Sequence, residues 1–106
     1  RLFAAQLDGN APDSLKTMAD DIKAKEENAV IVFAANTDGK ITFVAMAAKG
    51  AVAKGVHAGK IIKEITAICN GSGGGKPDMA QGGGKDASKI AEALESVCKI
   101  VESQVK

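Results

Sequence analysis

The sequence predicts an α+β fold, an antiparallel or mixed β-sheet with helices packed on it. Three observations carry this. Residues 29–35 form a continuous apolar run rich in β-branched side chains, and residues 41–47 form a second run after the turn signal Asp38-Gly39. Two longer segments repeat apolar residues at helical spacing on either side of a glycine-rich stretch. The chain has 106 residues, 45% hydrophobic and 25% charged, which is the size and composition of one soluble globular domain spanning residues 1–106.

Each element follows from local chemistry. Residues 2–7 read as a first strand, closed by Asp8-Gly9-Asn10. Pro12 suits the first turn of a helix, where its missing N–H costs nothing. Leu15, Met18, Ala19 and Ile22 then give one buried face, and Glu26-Glu27-Asn28 end it. Residues 29–35 are expected as a strand buried on both faces, paired with residues 41–47 in a hairpin. Residues 49–55 read as a small, basic loop. A second helix is expected over residues 56–69, with Ala58, Ile61, Ile62, Ile65, Ile68 and Cys69 on one stripe. Gly71 is expected in the left-handed position after it. Asp86 caps a last helix that buries Ile90, Leu94, Val97, Cys98 and Val101. The order is β-α-β-β-α-(glycine-rich loop or short strand)-α.

Composition excludes several functions. No apolar run approaches the roughly 20 residues that cross a bilayer. His57 is the single histidine, and Cys69 and Cys98 are the two cysteines. These three cannot make a zinc site of the usual kind without a carboxylate, and two cysteines do not make a disulfide scaffold. No nucleophile has a base beside it. His57 reads as a surface or capping residue. Cys69 and Cys98 read as small core residues. Asp20-Asp21 and Glu26-Glu27 read as a solvated helix face. Without a secretory signal, Asn70-Gly71-Ser72 is a chance glycosylation sequon. The start at Arg1 predicts a piece of a longer polypeptide.

Net charge is +1, but it is unevenly spread. Residues 1–48 carry five basic and seven acidic side chains. Residues 49–85 carry six lysines against two acids, and residues 86–106 three bases against four acids. The middle third is electropositive and points to an anionic partner.

Residues 71–84 are half glycine, at positions 71, 73, 74, 75, 82, 83 and 84. Such a stretch costs backbone entropy. Turns of positive φ, a closely packed backbone, or a ligand would each offset it, and a flexible connection is the bland alternative. It is not a Walker phosphate loop, because Pro77 follows Gly75-Lys76. Residues 82–87 fit the letters G-x-G-x-x-A, but no strand follows the next helix, so the parallel nucleotide-binding unit is missing. Glycine N–H groups beside Lys76 and Lys85, opening a helix, would make a phosphate cradle. With three Phe and no Trp or Tyr, base stacking on aromatic rings is not expected. An RNA partner would be read by shape and phosphate, with glycine backbone allowing flat contact.

The run Gly71-Ser72-Gly73-Gly74-Gly75-Lys76-Pro77-Asp78-Met79-Ala80-Gln81-Gly82-Gly83-Gly84 resembles one family: the carboxy-terminal domain of alanyl-tRNA synthetase, of the DHH-associated type. The preceding hairpin and helix and the final amphipathic helix extend the resemblance over nearly the whole chain. Related domains occur in DHH-type phosphodiesterases, where a histidine tends to follow the glycines. Lys76 stands in that place here and favours the synthetase.

The resemblance implies a non-catalytic module that binds the outer corner of alanine tRNA and supports aminoacylation and editing by upstream domains. ATP and zinc would belong to those domains, with no cofactor or metal here. It implies an RNA-binding surface of Gly73, Gly74, Gly75, Lys76, Gln81, Gly82, Gly83 and Lys85, with Lys49, Lys54 and Lys60 as secondary contacts. Asp78 is expected to hold its loop by bonding glycine N–H groups. The partners implied are tRNA, the upstream domains and, in some members, a second copy; no membrane is implied. The implied compartment is the cytoplasm, with the mitochondrion as the other. The alternative is a protein-interaction or dimerisation module with little tRNA affinity. A nuclease's substrate-recognition domain is a third, weaker idea.

Overall fold

The computed structural model describes residues 2–6, 12–37, 40–85 and 87–104. The elements are β1 (Leu2–Gln6), α1 (Pro12–Lys25), β2 (Val30–Thr37), β3 (Lys40–Ala47), α2 (Lys49–Ala53), α3 (Ala58–Ile68), β4 (Ser72–Gly75), β5 (Met79–Gly84), a 3-10 turn (Ala87–Lys89) and α4 (Ile90–Gln104). The five strands form one sheet in the order β1-β2-β3-β5-β4. β1 pairs with β2 in parallel, and every other neighbouring pair is antiparallel. A parallel pair needs a crossover, and α1 supplies it.

Strand alternation sends successive side chains to opposite faces. One face carries Val32, Phe43, Ala45 and Ala80, packed against Ile61, Ile62 and Ile65 of α3 and Ile90, Ala93 and Val97 of α4. The other carries Ile31, Phe33, Val44 and Met46, packed against Leu15 and Ala19 of α1. Residues 29–35 are buried throughout, as expected for an interior strand with a helical layer on each side. Phe43 is fully buried and is the largest such side chain.

The mixed sheet with packed helices agrees with the fold class the sequence predicts. Local differences have physical causes. Residues 49–55 are not wholly loop: Lys49–Ala53 form α2, which buries Ala51. Its N-cap is Ala48, which makes no side-chain cap bond, so the usual start signal is missing. Gly50 also lowers helix propensity, yet glycine is required there. A Cβ at Gly50 would collide with the Asn28 side chain and the Glu27 carbonyl.

The left-handed residue after α3 is Asn70, at φ 57°, and not Gly71. Gly71 N–H donates to Thr66 C=O at 2.7 Å, and Asn70 N–H to Ala67 C=O at 3.3 Å. This is a Schellman ending in which asparagine takes the usual place of glycine. The Asp38-Gly39 turn, Asp86 and the Cys98 side chain lie outside the described residues.

Candidate nucleic-acid interface

The glycine-rich stretch folds as a hairpin, β4 and β5, at one edge of the sheet. It is neither a flexible loop nor a cradle opening a helix. Gly82, Gly83 and Gly84 pair with Phe43, Thr42 and Ile41 of β3. The next α-helix begins only at Ile90, after a 3-10 turn.

The two faces of the hairpin use glycine for different reasons. On the α3 side, Gly73 pairs with Gly82. A Cβ at Gly73 would lie 2.7 Å from Ile62 Cγ2, and one at Gly82 would lie 2.7 Å from the Cγ2 atoms of both Ile62 and Thr66. A Cβ at Gly84 would lie 2.6 Å from Cys69 Cβ. Helix α3 thus approaches the sheet more closely than side chains would allow, and the offsetting contact is packing. Thr66 fits here because its hydroxyl turns back to Ile62 C=O at 2.7 Å, leaving its methyl against the glycines.

On the opposite face the hairpin is open. The register aligns Val44, Gln81 and Gly74 across three strands, and Thr42, Gly83 and Ser72 beside them. Val44 lies under α1, but α1 packs on β2 and β3. A Cβ at Gly74 would meet nothing within 4 Å. Ser72 and Gly74 are exposed, and Thr42, Gln81 and Gly83 are half-buried. The result is a flat floor of peptide backbone, with one amide side chain and two hydroxyls on it.

The hairpin tip is anchored firmly. Ala58 N–H donates to Pro77 C=O at 2.9 Å and Gly59 N–H to Lys76 C=O at 3.2 Å. Lys60 N–H donates to His57 Nδ1 at 3.1 Å. These acceptors satisfy donors that a helix start leaves open. His57 is therefore a helix cap. Its own backbone is held from α4: His57 N–H donates to Gln104 Oε1 at 3.0 Å, and Gln104 Nε2 donates to His57 C=O at 3.3 Å. Ala47 N–H donates to Asp78 C=O at 2.9 Å. The Asp78 carboxylate pairs with Lys23 Nζ at 3.6 Å, so its role is an ion pair to α1 where the sequence suggested bonds to glycine amides.

The expected site residues therefore divide. Gly74, Gln81 and Gly83 share the open face. Gly73 and Gly82 turn toward α3, and Gly75 shares their face by strand register. Lys76 is exposed at the tip, and Lys85 is exposed at the other end of the hairpin. Lys49 borders a cleft of about 390 Å³ with Lys23, Val52, Pro77 and Asp78. Lys60 lines a groove of about 600 Å³ between α3 and the end of α4. Lys54 is exposed after α2. These lysines do not form one cluster. Thr42 and Ser72 join the open face without a sequence signal of their own; strand alternation finds them once 72–75 and 79–84 are strands. Among the described residues no His, Cys, Asp and Glu group could hold a metal ion, and no helix is long and apolar enough to cross a membrane.

Comparison with known proteins gives this geometry a family. The DHHA1 domain model matches residues 1–103. The chain is 51% identical over 102 residues to an alanine–tRNA ligase of Shouchella clausii, and 49% identical over 102 residues to that of Geobacillus thermodenitrificans. Each match covers 96% of this chain and 12% of the relative, so the chain spans about an eighth of those proteins. The crystal structure of the C-Ala domain from Aquifex aeolicus alanyl-tRNA synthetase superposes with a TM-score of 0.87 at 32% identity, covering 94% of this chain and 89% of that one. The chain belongs to the DHHA1 domain family and, within it, to the C-Ala domains of alanyl-tRNA synthetases.

Proposed function

We propose that the chain is the tRNA-binding module of an alanine–tRNA ligase, taking no part in the chemistry itself. It holds the outer corner of the L-shaped tRNA while upstream domains charge and edit it. ATP and zinc serve those upstream domains. The module works in the cytoplasm, or in a mitochondrion with the rest of such an enzyme.

The open face of the β4–β5 hairpin carries this reading. A floor with few side chains lets a flat nucleic-acid surface approach the peptide plane. Its polar groups, Gln81, Thr42 and Ser72, can bond to ribose and base edges. Lys76 and Lys85 stand at the two ends of the hairpin, and neither has a carboxylate partner among the described residues. Two exposed ammonium groups at the ends of an uncharged floor suit a phosphate backbone crossing it.

The test is fluorescence anisotropy of the chain with full-length alanine tRNA and with an acceptor-stem minihelix lacking the elbow, at two salt concentrations. Preference for the full tRNA, fading with salt, is the expected result. Equal or absent binding overturns it.

One observation favours a second reading, a protein-interaction module. Among the described residues β4 is an edge strand that pairs only with β5, and all four of its residues are exposed. An open edge can add a strand from another chain. Light scattering that finds a dimer, together with no tRNA affinity, would select this reading.

A further inference from the structure

We infer that α1 supplies a basic rail along the glycine floor, with Lys16 and Lys23 contacting the phosphates of RNA laid on Gly74, Gln81 and Gly83. This rests on the reading of that face as the RNA site.

Lys23 is fixed in place by its ion pair. Its Nζ lies 3.6 Å from Asp78 Oδ2, so this flank of α1 faces the hairpin. Lys16 comes seven residues earlier, two turns back and within about 20° of the same direction around the axis. The crossover from β1 to β2 makes α1 run against the direction of β2. β5 runs with β2, because Ile31, Met46 and Met79 align across the strands, as do Asn36, Ile41 and Gly84. Moving from Lys23 to Lys16 therefore moves up β5. Seven helical residues rise about 10.5 Å. Three strand residues span about 10 Å. Lys16 thus stands level with Gln81, three residues beyond Asp78.

Both lysines are half-buried. Their stems lie on the protein, and the ammonium groups sit at the rim of the floor. Lys16 has no ion-pair partner among the described residues. Among the described residues three carboxylates oppose the rail: Asp78, paired with Lys23; exposed Asp20, one turn from each lysine on the solvent side; and exposed Glu27, which lines one cleft with Asp20 and Lys23. A floor made mostly of peptide backbone, open above Gly74, gives a protein side chain little to grip, which favours RNA over an acidic protein as the anionic partner.

The experiment measures binding of an alanine tRNA transcript to the 106-residue chain across a salt series. The double variant K16Q/K23Q is expected to weaken binding by about tenfold at low salt. It should also lower the slope of log K against log salt by roughly 1.4–1.8, the loss of two phosphate contacts. D78N releases Lys23 and removes a negative charge, so it is expected to tighten binding severalfold. A merely structural ion pair would make D78N weaken it. An unchanged slope in K16Q/K23Q, or weaker binding by D78N, overturns the rail. If Gly74→Val abolishes binding while K16Q/K23Q keeps the wild-type slope, the face reading stands without the rail. If the unsubstituted chain binds no tRNA at any salt, both fall.

Discussion

A methyl group added at Gly82 and one added at Gly74 would meet opposite surroundings. At Gly82 it would press on the Cγ2 atoms of Ile62 and Thr66 at 2.7 Å. Overpacking of this kind costs about 1–3 kcal/mol. At Gly74 it would meet open space, and alanine in a strand is favoured over glycine by roughly 0.5–1 kcal/mol. Urea denaturation should therefore find Gly82→Ala destabilised and Gly74→Ala unchanged or more stable. Equal effects would show that the two faces are not packed differently. The letters alone could not separate these glycines, because the distinction is one of face, and face follows only from register. Gly71 and Asn70 make the same point. Both residue types tolerate the left-handed conformation, and the choice between them depends on where α3 ends.

Among the elements, the regular ones were legible and the short ones were not. The apolar runs of β2 and β3, the spacing of Leu15, Met18, Ala19 and Ile22, and the stripe on α3 are all core patterns, so periodicity finds them. α2 is five residues long, too short to show a period. The strands β4 and β5 contain six glycines between them, and glycine is depleted in strands. They are strands because β3 offers an edge and α3 a close-packed roof. α3 depends in turn on its neighbours for a start, since His57 caps it and Gln104 holds the His57 peptide from both sides. Loss of a side-chain cap costs about 1 kcal/mol, and loss of hydrogen bonds to a half-buried peptide costs about the same. His57→Ala and Gln104→Ala should each lower the stability by about that amount. The double variant should lose less than the sum, because both act on one helix end. Strict additivity in denaturant melts would separate the two contacts.

At the level of the molecule, the charge blocks of the sequence did not survive folding as a surface. Five of the six lysines of residues 49–85 spread over the hairpin ends, the α2 cleft and the α3–α4 groove, and Lys54 is exposed after α2. Lys16 and Lys23 sit in a segment that is net negative, yet α1 brings them beside the glycine floor. Averaging along the chain hides a residue whose neighbours come from another element. The family motif was the more informative signal, since it marked the hairpin as special. It gave no means of telling which glycines serve α3 and which serve the open face. The predicted salt dependence of tRNA binding belongs to this scale, because it reads the summed contacts of residues far apart in sequence.

The bonds from Ala58 and Gly59 to the hairpin tip also bear on how the molecule opens. A hairpin so rich in glycine has little tendency to persist by itself, and the first turn of α3 lacks acceptors without it. Neither can come loose alone at low cost, so the two form one cooperative unit for local unfolding. Native-state hydrogen exchange should show the amides of Ala58, Gly59 and Lys76 exchanging with a shared opening free energy. Residues 30–35 and 41–46, at the centre of the sheet, should open only with the whole. Faster exchange at Lys76 alone would mean that the tip frays independently of the helix it caps.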